Sequence, residues 1–103
     1  MNVQKLMKEA QRAQRKVAEA QERLATLEVE GSAGGGLVTA TVTGEGALVK
    51  VAIDPGAIDP EDPTLLEDLI VAAVKDAQRQ AKEVHEREMG SAMGGLGGMP
   101  GLF

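Results

Sequence analysis

Lys5, Lys8, Arg12 and Arg15 recur at intervals of three, four and three residues, a spacing that stacks side chains along one face of an α-helix. Cations in such a row can neutralise successive phosphates of a nucleic-acid backbone. Lys75, Arg79 and Lys82 share a helical face later in the chain. The first row turns acidic at Glu19 and Glu22, so a solvated helix face is the plain alternative. Charge is unevenly distributed. Residues 1–18 hold five basic side chains against Glu9 alone, and the remainder holds six against fifteen acidic ones, within a net charge of −5. Where the charge lies matters more for a local phosphate contact than its sum. The chain has no Trp and no Tyr, which argues against base stacking on single strands.

Other chemistry is poorly supplied. Acid–base and nucleophilic catalysis draw mainly on His, Cys, Tyr or a Ser with a positioned base. Here there is one histidine, His85, placed late in a helix where it reads as a surface residue. Ser32 and Ser91 lie in glycine-rich segments and read as turn residues. Asp54, Asp59, Glu61 and Asp62 cluster, but the interleaved prolines at 55, 60 and 63 suit a strand-to-helix loop, and the EF-hand pattern is missing. Gly31–Gly36 is followed by Leu37-Val38 rather than the Lys-Ser/Thr pair of a phosphate loop, and reads as a turn. With no cysteine, disulfides and thiolate metal sites are excluded. The expectation is a non-enzymatic binding protein with no catalytic residues, cofactor, metal or small-molecule substrate.

The elements that must carry the basic rows follow from periodicity. Val3, Leu6, Ala10, Ala13, Val17, Ala20, Leu24 and Leu27 form an unbroken heptad seam, opposite the cations, in a stretch free of Gly and Pro. This predicts a helix over about residues 2–28, capped by Asn2. Either a second helix of the same chain or another subunit could cover the seam; the former is the favoured arrangement, and alanine at 10, 13 and 20 permits close approach. Leu27–Glu30 reads as a short strand. Leu37–Thr43 and Leu48–Ile53 alternate, and Gly44-Glu45-Gly46 signals a hairpin between them. The faces bearing Val38, Ala40 and Val42 and Val49, Val51 and Ile53 should be buried, with the threonine side solvated. A second helix is expected over about residues 64–89. Its start is either Thr64, at capping-box spacing from Glu67, or Asp62 before Pro63, and Gly90 is its stop. Leu66, Leu69, Ile70, Ala73, Ala77, Ala81 and Val84 mark its apolar face.

One domain over residues 1–89 is therefore expected, followed by a mobile tail, 90–103, in which six residues are glycine and none is charged. Of the 44 apolar residues 15 are alanine, so the core of one chain is thin and favours help from a partner subunit. A first helix of about 40 Å exceeds the roughly 30–35 Å diameter of a compact chain of this length and should project from it. No apolar run approaches the roughly 18 residues of a membrane span and the N-terminus lacks a signal-peptide stretch, so a cytoplasmic location without membrane contact is the default.

Specific wording joins these patterns. Lys5-Leu-Met-Lys-Glu-Ala-Gln11, Gly34-Gly-Gly-Leu-Val-Thr-Ala-Thr-Val-Thr-Gly44, Val51-Ala-Ile-Asp-Pro55 and, most specifically, Leu66-Glu-Asp-Leu-Ile-Val-Ala-Ala-Val-Lys-Asp-Ala77 resemble the YbaB/EbfC family of bacterial nucleoid-associated proteins. The ending Gly98-Met-Pro-Gly-Leu-Phe103 also resembles family tails. The resemblance implies an α+β fold: a long N-terminal helix, a three-stranded antiparallel sheet and a long C-terminal helix. It also implies a tweezer-like homodimer whose projecting helices contact DNA at the nucleoid. On this chain the DNA contacts would fall on Lys5, Lys8, Arg12, Arg15, Lys75, Arg79 and Lys82. The competing reading is a protein-binding clamp or scaffold without direct DNA contact, which the overall acidity suits.

Overall fold

The structure, a computed structural model, describes residues 2–93. Helix α1 spans Val3–Thr26, strands β1, β2 and β3 span Glu28–Ala33, Val38–Thr43 and Leu48–Ile53, a 3-10 turn covers Pro55–Ala57, and helix α2 spans Pro63–Ala92. The fold is α+β, with one antiparallel sheet in the order β1-β2-β3. Asn2 caps α1, its Oδ1 accepting from the Lys5 N–H at 3.2 Å. Asp62, not Thr64, caps α2, accepting from the Leu65 N–H at 3.3 Å, with Pro63 in the first turn where its missing N–H costs nothing.

The core is built from small side chains. Val38, Ala40 and Val42 on β2 meet Ala73, Ala77 and Ala81 on α2, with Ala57 at one end. Leu66, Leu69, Ile70 and Val74 pack partly buried around them. Alanines four apart make a flat stripe on α2, so the helix backbone settles onto the sheet. The contact is closest at Gly31 of β1. A β-carbon there would lie 2.6 Å from the Ala77 Cα and 2.8 Å from the Ala73 carbonyl oxygen, and closer still to the Ala77 nitrogen. Gly31 is thus a strand residue chosen for close approach, and the expected Gly31–Gly36 turn is corrected. β1 continues through Ala33, and the turn runs from Gly34 to Leu37, with φ of 64°, 68° and 95° at Gly34, Gly35 and Gly36, values natural only to glycine. Ser32 lies in this strand and Ser91 within α2, so neither is a turn residue.

The second pairing is less regular than alternation suggests. Thr41 faces Lys50 but Val42 faces Leu48, which leaves Val49 in a bulge. Val49 is accordingly 53% exposed and Ile53 37%, against the expectation that both are buried; Val51 is half-buried. The threonine side of β2 is drier than expected, with Thr41 only 8% exposed. Gly90 does not stop α2, which runs on to Ala92. The mobile tail was expected over 90–103, but residues 90–92 belong to α2; residues 94–103 lie outside the described residues.

α1 is held at its C-terminal end. The Gly44 N–H donates to the carbonyls of both Leu24 and Leu27 at 2.9 Å, and a β-carbon on Gly44 would lie 2.8 Å from the Leu24 side chain. Arg23 pairs with Glu88 at 3.1 Å, and Val17 shares a groove with Met93. The two helices are therefore antiparallel over their C-terminal parts, with α1 extending past the end of α2. Only Ala20 and Leu24 of its seam are fully buried, and Ala13 and Val17 are half-buried. Val3, Leu6 and Met7 are 63%, 49% and 57% exposed. Packing against α2 thus covers the seam's C-terminal part and leaves the rest open. The stagger stretches the chain to 71 × 25 × 16 Å, with a radius of gyration of 19.6 Å against the roughly 13 Å of a compact chain of this size.

Two glycines separate packing from propensity. Gly31→Ala drives a methyl into helix backbone that cannot give locally and should destabilise by about 3 kcal/mol or more. Gly90→Ala, where an added β-carbon meets nothing within 4 Å, should stabilise by about 0.5–1 kcal/mol. Urea unfolding of the two variants measures both; a Gly31→Ala protein as stable as the parent would disprove the close contact.

Candidate nucleic-acid interface

The described residues place the seven cations in two groups. Lys5, Lys8, Arg12 and Arg15 are all exposed on α1, on the side away from its seam. They occupy the half of the helix that runs beyond α2. Among the described residues none of the four takes part in an ion pair, the pairs being Arg23–Glu88, Arg79–Asp76 and Arg79–Glu83. Lys16 adds a further exposed cation near the row.

The α2 group lies elsewhere. Lys75, Arg79 and Lys82 are exposed on the helix where it crosses the sheet, opposite the alanine stripe. With Arg23 opposite Glu88, Lys82 is level with the end of α1. At 1.5 Å per residue, Arg15 and Lys82 are about 20 Å apart along the long axis, and Lys5 and Lys75 roughly 45 Å. Within one protomer, then, the two groups do not merge into one patch.

The α2 group is also less free. Arg79 Nη2 donates to Asp76 Oδ1 at 2.7 Å and Nη1 to Glu83 Oε1 at 3.3 Å. These carboxylates raise the guanidinium's pKa and set two negative charges beside it. Asp76 also accepts from the Ser32 backbone N–H at 3.0 Å and from Gln80 Nε2 at 3.1 Å. The Ser32 bond first, then Arg79, holds its carboxyl below the ordinary aspartate range. Asp76 thus ties α2 to β1 one residue beyond the Gly31 contact. Its role was missed in the sequence, although Asp76, Arg79 and Glu83 stand at helix-pairing spacings of three and four. Lys82 lies with the half-buried His85 on a cleft of about 320 Å³ against the β2–β3 turn. Gln78 Nε2 donates to the Gly46 carbonyl there at 3.2 Å, and Glu45 supplies an opposing charge.

The acidic cluster resolves into turn chemistry. Asp54 Oδ1 accepts from the Gly56 N–H at 2.8 Å, Asp59 Oδ1 from the Glu61 N–H at 3.0 Å, and Asp62 is the α2 cap. Among the described residues, no group of three or more His, Cys, Asp or Glu converges as a metal site would. No helix among them is long and apolar enough to cross a membrane.

Comparison with known proteins follows the same line. The signature of the YbaB/EbfC DNA-binding family matches residues 1–96. A nucleoid-associated protein of Saccharopolyspora erythraea is 54% identical, over 98% of this chain and 87% of its own length. Nucleoid-associated proteins of Streptomyces avermitilis and Acetivibrio thermocellus are 52% and 46% identical, over 98% and 99% of this chain and 91% and 90% of theirs. The crystal structure of an uncharacterized Helicobacter pylori protein shares the fold, with a TM-score of 0.69 at 23% identity over 93% of this chain and 98% of that one.

The Asp76 contacts give a pH test. A carboxyl whose pKa is lowered by folding stabilises the fold at pH values above its unfolded pKa, and that contribution is lost as the pH falls through the folded value. Asp76→Asn should therefore be less stable than the parent at pH 7, and the gap should narrow below about pH 4. Denaturant unfolding at several pH values reads this; a gap constant with pH would show that the charge does not matter.

Proposed function

The chain belongs to the YbaB/EbfC DNA-binding family, and on that premise we propose that it is a homodimeric nucleoid protein that binds duplex DNA with little sequence preference. It carries out no reaction of its own and acts in the cytoplasm. The observation that carries the reading is the row of four exposed cations, free of ion pairs among the described residues, on the projecting half of α1. Counter-ion release on contact with phosphates supplies affinity without reading bases. The net charge of −5 per chain makes long-range attraction weak. Binding therefore works through clusters within a Debye length, about 8–10 Å at moderate salt. Lys75, Arg79 and Lys82 form a second and weaker group, since Arg79 already holds two carboxylates.

Dimerisation is supported by what one chain leaves open. β3 is an edge strand without a helix over it, and Leu48, Val49 and Ile53 are 53%, 53% and 37% exposed. An unpaired apolar edge invites association, and a symmetric partner satisfies it without aggregation. Such a dimer doubles the cationic rows and sets two projecting helices in a fork. The protein-clamp alternative draws on the exposed seam of α1, where Val3, Leu6 and Met7 offer apolar surface to another protein.

Light scattering at micromolar concentration should give twice the 10.7 kDa chain mass; a stable folded monomer would refute the dimer. DNA titration across salt tests the remainder. Affinity should fall by about 0.9 log units per log unit of salt for each phosphate contact. Arg12→Glu with Arg15→Glu should weaken binding on the order of 100-fold, or about 2.8 kcal/mol, while the fold and dimer persist. Glu19→Lys with Glu22→Lys should strengthen it. An unchanged salt slope in the double Arg→Glu protein would reduce the row to a solvated face. Failure of the parent to bind even at low salt would favour the clamp.

A further inference from the structure

Helix α1 is bulky at its tip and narrow in its middle. Val3, Leu6 and Met7 stand exposed at the tip. Further along, Ala10, Ala13, Gln14, Val17 and Ala18 line a groove of about 420 Å³, bordered by Met93 at the end of α2. The tip offers apolar side chains with nothing to receive them, and among the described residues nothing fills the groove. Close packing needs the two to meet, and within one chain they lie on the same straight helix and cannot. Two copies of the helix, laid antiparallel, satisfy both.

A two-fold axis crossing α1 midway between Ala10 and Ala13 fixes the register. Leu6 of one copy is then level with Val17 of the other and Ala10 with Ala13, the layers of an antiparallel coiled coil. Val3 comes level with Ala20, beside the groove-lining Gln21. Each bulky tip thus enters the narrow stretch of its counterpart. In a parallel pair tip would meet tip, and the alanines would face each other across a void. Charge selects the same arrangement. Glu9 and Lys16 stand seven residues apart on one flank of the seam, both exposed and neither ion-paired among the described residues. In the antiparallel register Glu9 of each copy meets Lys16 of the other, offset by about 3 Å along the axis, which gives two ion pairs by symmetry. A parallel pair would set Glu9 and Lys16 against Gln14 and Gln21 and make none.

We propose that the tip of α1 seats in the α1 groove of a second copy, and that copy's tip in this groove, as an antiparallel helix pair. Lys5, Lys8, Arg12 and Arg15 then point outward from the pair. One helix face a side lies below the roughly 1,200 Å² of stable interfaces, so the contact is transient in dilute solution and forms between copies already held close. It rests neither on DNA binding nor on the β3 edge. Where that edge holds the dimer, paired arms join one dimer to the next.

The chain has no cysteine, so introduced ones report the register cleanly. When Leu6→Cys chains are mixed with Val17→Cys chains under mild oxidation, the mixed interchain disulfide should form at least tenfold faster than either same-variant disulfide. Glu9→Lys in both chains should slow it at least fivefold at low salt, and Lys16→Glu added to the same chains should restore the rate. All four positions are exposed or half-buried, so the fold is kept. Same-variant disulfides that form as fast as mixed ones would overturn the antiparallel pair. So would a rate indifferent to Glu9→Lys, or one that Lys16→Glu does not restore. The absence of any interchain disulfide would overturn it too and leave the seam to a different protein.

Discussion

Helix α2 lies on the sheet at backbone contact, and the architecture rests on that separation. Gly31 offers no side chain and Ala73, Ala77 and Ala81 offer the smallest, so helix and strand meet with almost nothing between them. Close packing of this kind recovers dispersion and excludes water with few large residues. The same separation brings the Ser32 N–H within reach of the Asp76 carboxylate. A core of larger residues would lift the helix and break that bond. The helix position is thus fixed twice, by shape at Gly31 and by a charge-assisted hydrogen bond one residue later.

Gly44 plays the corresponding part for α1. Its N–H takes two orphan carbonyls at the end of the helix, and its bare α-carbon admits Leu24. With α2 set by Gly31 and the end of α1 set by Gly44, the stagger of the helices is determined, and the basic row falls on the part of α1 that α2 does not reach. The cations are thereby kept from the acidic remainder of the chain. Arg79, placed over the sheet, shows the contrary outcome: two carboxylates hold it.

Much of this was legible in the residues. The heptad seam gave α1 nearly to its ends, Asn2 marked its cap, and alternation placed β2 and β3. The residue pattern also gives the three strands, and the family wording supplies the expected DNA partner. What escaped was mostly tertiary. Gly31 was read with Gly34–Gly36 because a glycine that admits a helix and one that turns a chain look alike in sequence; only the positive φ of the latter separates them. The Val49 bulge follows from the register of β2 against β3, which alternation cannot specify. Gly90 continued α2 because one glycine's conformational cost is small beside a helix already nucleated over many residues. In the candidate site, the spacing of the α1 cations was visible outright. The partners of Arg79, Asp76 and Glu83, stand at helix-pairing spacings as well, but a row picked out by positive charge alone does not include them.

The two carbonyls bonded to Gly44 also make a pivot. From Leu24 to Lys5 the helix runs about 28 Å, and α2 supports only the part nearer the pivot. A change of roughly 5° in the angle at that point would displace Lys5 by about 2.5 Å and Leu24 hardly at all. The arm is a lever with a short fixed end. Lys5, at the far end of that lever, is the part of α1 whose position depends most on the angle fixed at Gly44.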